Sequence, residues 1–347
     1  MGIYSENGYL DYQGILEISK GYVYIIGGRG VGKSHLTVDI ADSTEKPILY
    51  VRRTNVDLSN CFAKYSDFSK KDWFGDDVVY KYYQQKGYGF AYRNEEDFEN
   101  NKPFIVGVSL STFVNKTGID FTQFYDVIFD EFIPQTGARP LKHEFQSYKN
   151  IMESVFRNRD KGDSDKVRVW FFGNSNAVVS NILLGYRLVG DLYNMVKTGQ
   201  EIRHVDRCNS TLILPMKSPV SKRKNSNGFY RYLPDAKKQM EIYNNFSDLE
   251  DDHVRHQNIK EYYPEAVTPC FTLWLHKTEL RYYVTKRMNV DDCDKFDISP
   301  SSLERWQKYK AVYRRFFREG TILFASYDVQ ADFLSSFDTV SWSELLA

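Results

Sequence analysis

The sequence has few cysteines, no long apolar segment and no excess of charge of either sign. Its four cysteines lie far apart and form no Cys-x-x-Cys pair, which argues against a disulfide framework and favours a reducing compartment. No apolar run reaches the roughly 18 residues of a membrane-spanning helix, and the first residues do not resemble a signal peptide. We therefore expect a cytoplasmic protein with no membrane partner.

The net charge and the length of the chain limit what can be inferred about its partners and its number of domains. Lys+Arg and Asp+Glu each number 46, so the net charge does not indicate a nucleic-acid partner, and any basic surface must be local. With 347 residues, 42% of them hydrophobic, the chain is long enough for two packed domains. We expect one domain over residues 1–200, a basic linker or mobile segment over 201–245, and a small α+β domain over 246–347.

The strongest motif is a glycine-rich loop between an apolar strand, 22–26, and a segment that can form a helix. Glycines that accept positive φ let consecutive N–H groups converge on a phosphate, and the helix adds its positive end. Lys33 would reach the β- and γ-phosphates, and the Ser34 hydroxyl would bind Mg²⁺. The loop therefore predicts ATP binding. Its residues are Gly27, Gly28, Arg29, Gly30, Val31, Gly32, Lys33 and Ser34.

A second motif is an apolar strand that ends in two acids, Asp130 and Glu131. Asp130 would hold Mg²⁺ through water, and Glu131 would orient and deprotonate an attacking water. Phosphoryl transfer depends on positioning and on charge neutralisation, which these two roles supply. A glutamate beside the Mg²⁺ ligand favours water as the acceptor, and therefore a hydrolase rather than a small-molecule kinase.

Five short apolar runs predict buried parallel strands whose carboxyl ends meet at one edge of a sheet. They predict a doubly wound α/β fold of the P-loop NTPase type. Residues 76–92 predict a β-hairpin inserted between the main elements. Polar residues follow the fifth run, and Asn176 among them would sense the γ-phosphate. The runs cover residues 22–26, 47–51, 103–108, 124–131 and 167–172.

Several basic residues are open to two interpretations each. Arg52 and Arg53 follow the second strand and would contact phosphate or DNA, or lie in a solvated turn. Arg157 follows an apolar helical stripe over 143–159 and would be either an arginine finger or a helix-end charge favoured by the helix dipole. Two further clusters would contact DNA phosphates. One is Lys222, Arg223 and Lys224, which linker solubility also explains, and the other is Arg314 and Arg315, which also suit an acidic partner.

Taken together, the motifs resemble the genome-packaging ATPases of small Salas-type podophages, ring-forming relatives of the large terminases and of bacterial DNA translocases. The resemblance rests on the phosphate loop and on the segments 50–53, 128–132, 155–159 and 175–177. It implies a ring, expected to be a pentamer, at the portal vertex of a procapsid in the host cytoplasm. This ring would drive double-stranded DNA inward with ATP and Mg²⁺.

The same resemblance assigns further roles. Arg157 matches a trans-acting finger, Lys116 matches a second basic residue at the subunit interface, and Arg29 would stabilise the γ-phosphate. Related terminases carry an RNase-H-like nuclease domain, but the expected first strand of that domain here, 271–276, has no acid. We therefore expect a nuclease-like fold without nuclease activity, which would hold DNA, a structural RNA or the portal.

Two alternatives remain open at this point. A cellular DNA translocase or helicase would share most of these motifs, although further strand-separation motifs are not found. An ATP-switched assembly scaffold would bind ATP and turn over little. Glu131 argues against the scaffold, because a pure switch needs no water-activating acid.

Overall fold

The computed structural model describes residues 2–62, 77–83, 87–115, 120–134, 141, 144–175, 180–224, 253–337, 339 and 341–346. By packing, the chain divides into two units: Met1–Ala177 with Met195–Ser247, and Val178–Asn194 with Asp248–Ala347. The second unit therefore includes a segment expected in the first domain. No helix among the described residues is long and apolar enough to span a membrane.

A nine-stranded sheet forms the centre of the first unit. Its strands are β1 (Tyr22–Ile26), β2 (Ile48–Arg52), β3 (Val79–Tyr83), β4 (Tyr88–Tyr92), β5 (Ile105–Ser109), β6 (Asp126–Asp130), β7 (Arg168–Gly173), β8 (Ile202–Val205) and β9 (Ser210–Ile213). Their spatial order is β3-β4-β5-β2-β6-β7-β1-β9-β8. The six strands from β5 to β9 in this order are parallel, whereas the β3–β4 hairpin and β8 add antiparallel edges.

The helices lie between these strands and in the second unit. In chain order they are α1 (Tyr12–Ile18), α2 (Lys33–Asp42), α3 (Asn55–Cys61), α4 (Glu95–Glu99), α5 (Glu144–Phe156), α6 (Lys161–Ser164), α7 (Asn181–Gly185), α8 (Val189–Thr198), α9 (Pro219–Lys224), α10 (Pro300–Gln307), α11 (Lys310–Arg318), α12 (Tyr327–Ser335) and α13 (Trp342–Leu346). Short 3₁₀ turns cover Leu110–Asn115, Phe121–Gln123, Asp206–Cys208 and Ile259–Glu261.

The large, mostly parallel sheet confirms the predicted α/β class. All five predicted apolar runs form strands (β1, β2, β5, β6 and β7), and the predicted hairpin forms β3 and β4. The five strands that correspond to the apolar runs are buried almost throughout, as expected for a parallel sheet covered on both faces. The segment 201–224, expected within a linker, instead forms β8, β9 and α9.

A five-stranded sheet forms the second unit. Its strands are β10 (Tyr262–Val267), β11 (Phe271–His276), β12 (Tyr282–Lys286), β13 (Asp294–Lys295) and β14 (Ile322–Phe324), in the spatial order β13-β10-β11-β12-β14. The β11–β12 hairpin confirms the predicted pair of strands. A strand, β10, precedes the expected first one. The pairing register shifts after its Pro264, and such bulges are where a sheet tolerates proline.

Aromatic side chains fill the core of the second unit around Trp306, which is 1% exposed. Its ring stacks on Phe337 at 5.3 Å and meets Phe271 edge-on at 5.5 Å. The helix that carries Trp306, α10, begins after Ser299. The Ser299 side chain accepts a hydrogen bond from the Ser302 amide, and Pro300 occupies the first turn.

Candidate functional site

The glycine-rich loop has the geometry of a phosphate cradle. It leaves β1 and enters α2, and Gly30 and Gly32 have φ of +78° and +109°. Only glycine adopts such angles cheaply, and a Cβ on Gly32 would lie 3.0 Å from the Leu10 amide nitrogen. No side chain among the described residues caps the first turn of α2. A helix N-terminus without a side-chain cap is the kind of helix end that can bind an anion.

Lys33 lies over this loop rather than in solvent. It is 8% exposed, and its Nζ donates to the carbonyl oxygens of Gly27 at 2.6 Å and Gly28 at 2.8 Å. Ser34, the next residue, is exposed at the mouth of the loop. A phosphate at the loop would give the Lys33 ammonium an anionic acceptor, and charge-assisted hydrogen bonds are stronger than those to neutral carbonyls.

Asp130 and Glu131 lie at the carboxyl end of β6, as predicted. Glu131 has φ of +51°, an uncommon conformation for a residue with a side chain, and its amide donates to Asp130 Oδ1 at 2.9 Å. Strained backbone of this kind is concentrated at functional sites. Both carboxylates line the same cavity as Lys33 and Ser34 of the phosphate loop.

Arg52 contacts both acids, which was not predicted. Its Nη1 donates to Asp130 Oδ2 at 2.6 Å and its Nη2 to Glu131 Oε2 at 2.8 Å. Burial alone would lower the pKa of Arg52, but Tyr50 and the two carboxylates raise it above its ordinary value, so the guanidinium stays charged. The contact follows from strand order, because β2 and β6 are parallel neighbours with Val51 opposite Phe129.

Tyr50 adds a third group to this cluster. Its hydroxyl donates to Asp130 Oδ2 at 2.6 Å and lies 3.9 Å from the Cys61 sulfur. Burial, with Asp130 beside it, raises the pKa of Tyr50 well above 10. Burial also raises the pKa of the Cys61 thiol to about 11, so this cysteine is a neutral thiol near pH 7.

The phosphate loop and the acids line one small cavity of about 100 Å³. The sequence separates these groups by about 100 residues, and the parallel sheet brings them together at its carboxyl edge. The cavity is lined by Lys33, Ser34, Thr37, Tyr50, Arg52, Cys61, Asp130, Glu131, Phe172, Gly173 and Asn174. Asn174 is the polar residue of this segment that lines the cavity. Asn176, the expected γ-phosphate sensor, and Lys116 lie outside the described residues.

The placement of Arg52 and Arg53 argues against the DNA contact expected for them. Arg52 faces the acids, with 11% of its side chain exposed. Arg53 is 6% exposed, and its Nε pairs with Glu144 Oε1 at 2.5 Å in the first turn of α5. Both charges are therefore neutralised inside the chain, and a DNA phosphate could not reach them without breaking buried ion pairs.

Arg157 lies immediately after α5 and is exposed. Among the described residues no hydrogen bond or ion pair involves its side chain. Asn158 has φ of +61° and ends the helix in the left-handed conformation, after which Arg159 turns inward. Arg159 donates to the Thr122 and Phe124 carbonyls at 2.6 Å each and fixes the loop. The exposed Arg157 therefore lies between the end of α5 and Arg159, which is hydrogen-bonded to the preceding loop.

The other residues predicted to contact DNA or phosphate differ in their exposure and in their partners. Arg223 is exposed and donates to the Asn7 carbonyl, and Arg315 is exposed and pairs with Glu319 at 2.7 Å. Arg314 is half-buried, and Arg29 is exposed on the phosphate loop. Lys222 and Lys224 belong to α9, whose backbone alone is described at these two positions.

Metal ligands are few. Among the residues that the structure describes, no three His, Cys, Asp or Glu side chains form a metal-binding group. Mg²⁺ in phosphoryl-transfer sites is usually held by one or two protein oxygens together with substrate phosphates. The Asp130 carboxylate and the Ser34 hydroxyl fit this donor set, since both line the cavity.

The fold and the cavity define a mixed α/β protein whose mostly parallel sheet collects a glycine-rich loop and paired acids at its carboxyl edge. The model of the family described as podovirus DNA encapsidation protein (Gp16) matches residues 4–206, which is more than half of the chain. The chain belongs to this family, and its function is the packaging of viral DNA. A comparison with curated proteins found no match.

Two solved structures have a similar fold. The Phi-28 gp11 DNA packaging motor aligns with a TM-score of 0.64 and 14% sequence identity, over 96% of this chain and 99% of that one. The bacteriophage Phi-29 viral genome packaging motor assembly aligns with a TM-score of 0.60 and 14% identity, over 97% and 99% of the two chains. Because the identities are low, the likeness concerns the fold, and it extends over both units.

Proposed function

We propose that this protein is the ATP-hydrolysing subunit of a motor that moves double-stranded viral DNA into a procapsid. The observation that carries the proposal is the single cavity shared by the phosphate loop and the Asp130–Glu131 pair. Its chemistry is that of a P-loop NTPase. Family membership in DNA encapsidation supports this function over a cellular translocase or helicase.

Each group of the site has a separate role in the proposed hydrolysis. The amides of the glycine-rich loop and the Lys33 ammonium would bind the phosphates, while Ser34 and Asp130 would hold Mg²⁺. Mg²⁺ supplies charge that neutralises the phosphate oxygens as negative charge develops on them. Glu131 orients the attacking water and accepts its proton.

Arg52 pairs with both acids, since its guanidinium is 2.8 Å from Glu131 Oε2 and 2.6 Å from Asp130 Oδ2. To accept a proton from water, Glu131 would have to give up this ion pair. In this proposal the γ-phosphate is the anion that would take its place beside Arg52, so hydrolysis would depend on ATP binding.

Arg157 acts on a neighbouring subunit in this proposal. The proposed nucleotide site lies at the carboxyl edge of the sheet, and Glu144 at the start of α5 pairs with Arg53, the residue that follows β2 at this edge. Arg157 follows the end of this helix of 13 residues, about 20 Å further along. Arg159 beside it contacts the backbone before β6, at the opposite edge of the sheet. The finger is therefore out of reach of its own site, which favours a ring, by resemblance a pentamer.

The remaining partners belong to the same proposal. The ring would act at the portal vertex of a procapsid in the host cytoplasm, where a structural RNA is a further partner. Exposed cations at Arg223 and Arg315, with Arg314, are candidate contacts to DNA phosphates. The second unit would serve attachment and DNA holding without nuclease activity, possessing an RNase-H-like fold in this interpretation.

Hydrolysis of Mg-ATP by purified protein tests the proposal. The wild type should release phosphate, whereas Lys33→Ala should lose ATP binding and hydrolysis together. No hydrolysis by wild type under any condition, with ATP binding intact, would instead favour the ATP-switched scaffold.

A further inference from the structure

Tyr50 places a hydroxyl donor against the carboxylate of Asp130. Its ring is 2% exposed within the core of the first unit, and its Oη lies 2.6 Å from Asp130 Oδ2. Residues two apart on a strand share a face, so Tyr50 and Arg52 project from β2 on the same side. Tyr50 pairs with Ile128 across the strands, which places Asp130, two residues further along, on the matching side of β6.

Besides the contact with Arg52, two hydrogen bonds hold the Asp130 carboxylate in its orientation. Oδ2 accepts from the Tyr50 hydroxyl, and Oδ1 accepts from the Glu131 amide at 2.9 Å. An ionised carboxylate can only accept hydrogen bonds, so the Tyr50 hydroxyl is the donor in this contact. A carboxylate held by fixed donors loses little freedom when it binds a hydrated cation.

We propose that Tyr50 is a positioning residue for Mg²⁺: its hydroxyl holds the Asp130 carboxylate in the orientation that binds the metal's water shell. The inference rests on the proposed function, in which Asp130 holds Mg²⁺. Arg52 contacts the same oxygen, also at 2.6 Å, but with a full positive charge. A cation at Asp130 Oδ2 competes with Mg²⁺ for the carboxylate, whereas a neutral phenol orients the carboxylate without adding a competing charge. The two neighbours of Oδ2 therefore have opposite effects on metal affinity.

The test is a titration of Mn²⁺ into the full-length protein with ADP, followed by electron paramagnetic resonance. Tyr50→Phe keeps the ring and removes only the hydroxyl. Loss of an outer-shell partner typically weakens metal binding 10–100-fold, and we expect about tenfold here. Tyr4→Phe is the matched control, because the Tyr4 hydroxyl donates to the Glu201 carboxylate at 2.7 Å, and this pair is not in the cavity lining. Its Mn²⁺ affinity should equal that of the wild type.

A second measurement distinguishes positioning from a general loss of stability. The Mg²⁺ concentration for half-maximal ATP hydrolysis should rise in Tyr50→Phe, and excess Mg²⁺ should restore the maximal rate. Unchanged Mn²⁺ affinity in Tyr50→Phe, or equal weakening in Tyr4→Phe, would overturn the inference while leaving the proposed function intact. Mn²⁺ binding that Asp130→Asn leaves unchanged would overturn both the inference and the proposed metal site.

Discussion

Removing one member of the buried ion pair between Arg53 and Glu144 should strongly destabilise the first unit. Its nitrogen and oxygen are 2.5 Å apart, and the two side chains are 7% and 1% exposed. Glu144→Gln keeps the shape of the side chain and removes its charge. The Arg53 guanidinium would then be buried without this anion, and breaking such a pair costs about 3–5 kcal/mol.

Calorimetry can measure this loss. In a domain of 150–250 residues each kcal/mol shifts the melting temperature by about 2–4 °C, so the first unit should melt roughly 6–20 °C lower in Glu144→Gln. Asp42→Asn is the matched control, because it breaks the Arg93–Asp42 pair, whose side chains are 43% and 51% exposed. An exposed pair is worth less than about 1 kcal/mol.

Two results would refute this reasoning. One is a melting temperature for Glu144→Gln that falls no further than that of Asp42→Asn. The other is an apolar double variant, Arg53→Met with Glu144→Leu, that is no more stable than Glu144→Gln alone. Replacing both members of a buried pair by apolar groups is often neutral, since no charge is left without a partner.

Three further outcomes are expected. Glu131→Gln should bind ATP as the wild type does but lose hydrolysis at least about 100-fold, the lower range for a general base, as measured by nucleotide binding and phosphate release. Arg157→Ala should leave the melting temperature unchanged, because the side chain is exposed, and should lower the hydrolysis rate of wild-type subunits in mixtures. Burial raises the pKa of Asp332 from 3.8 to about 6. The folded state therefore holds the proton of Asp332 more tightly than the unfolded state does. The stability that this protonation provides is fully present below pH 4 and is lost as the pH rises through 6. Asp332→Asn should flatten the pH dependence of unfolding over that range.

The parallel strands were predictable because each is a continuous apolar run. Burial on both faces leaves little room for polar residues, so β1, β2, β5, β6 and β7 are evident in the sequence. The edge strand β8 was missed because it contains Arg203 and His204 and is only partly buried. In β10, Pro264 and Glu265 similarly obscure the strand pattern.

The components of the site were predictable, but their contacts were not. The phosphate loop and the acids of β6 are contiguous motifs with known geometry. The contact of Arg52 with Asp130 and Glu131 depends on β2 lying beside β6. Local sequence patterns predict individual strands but do not predict their order in the sheet. The same holds for Arg157 and Arg159, since only the left-handed turn at Asn158 decides which of them is exposed.

The rate of Mg-ATP hydrolysis per subunit, measured against protein concentration with and without double-stranded DNA, tests the central claim most directly. If ring neighbours complete each nucleotide site and the ring grips DNA, the rate per subunit should rise steeply with concentration and rise further with DNA. A rate that is flat with concentration and indifferent to DNA, in the presence of procapsids as well as without them, would contradict the account.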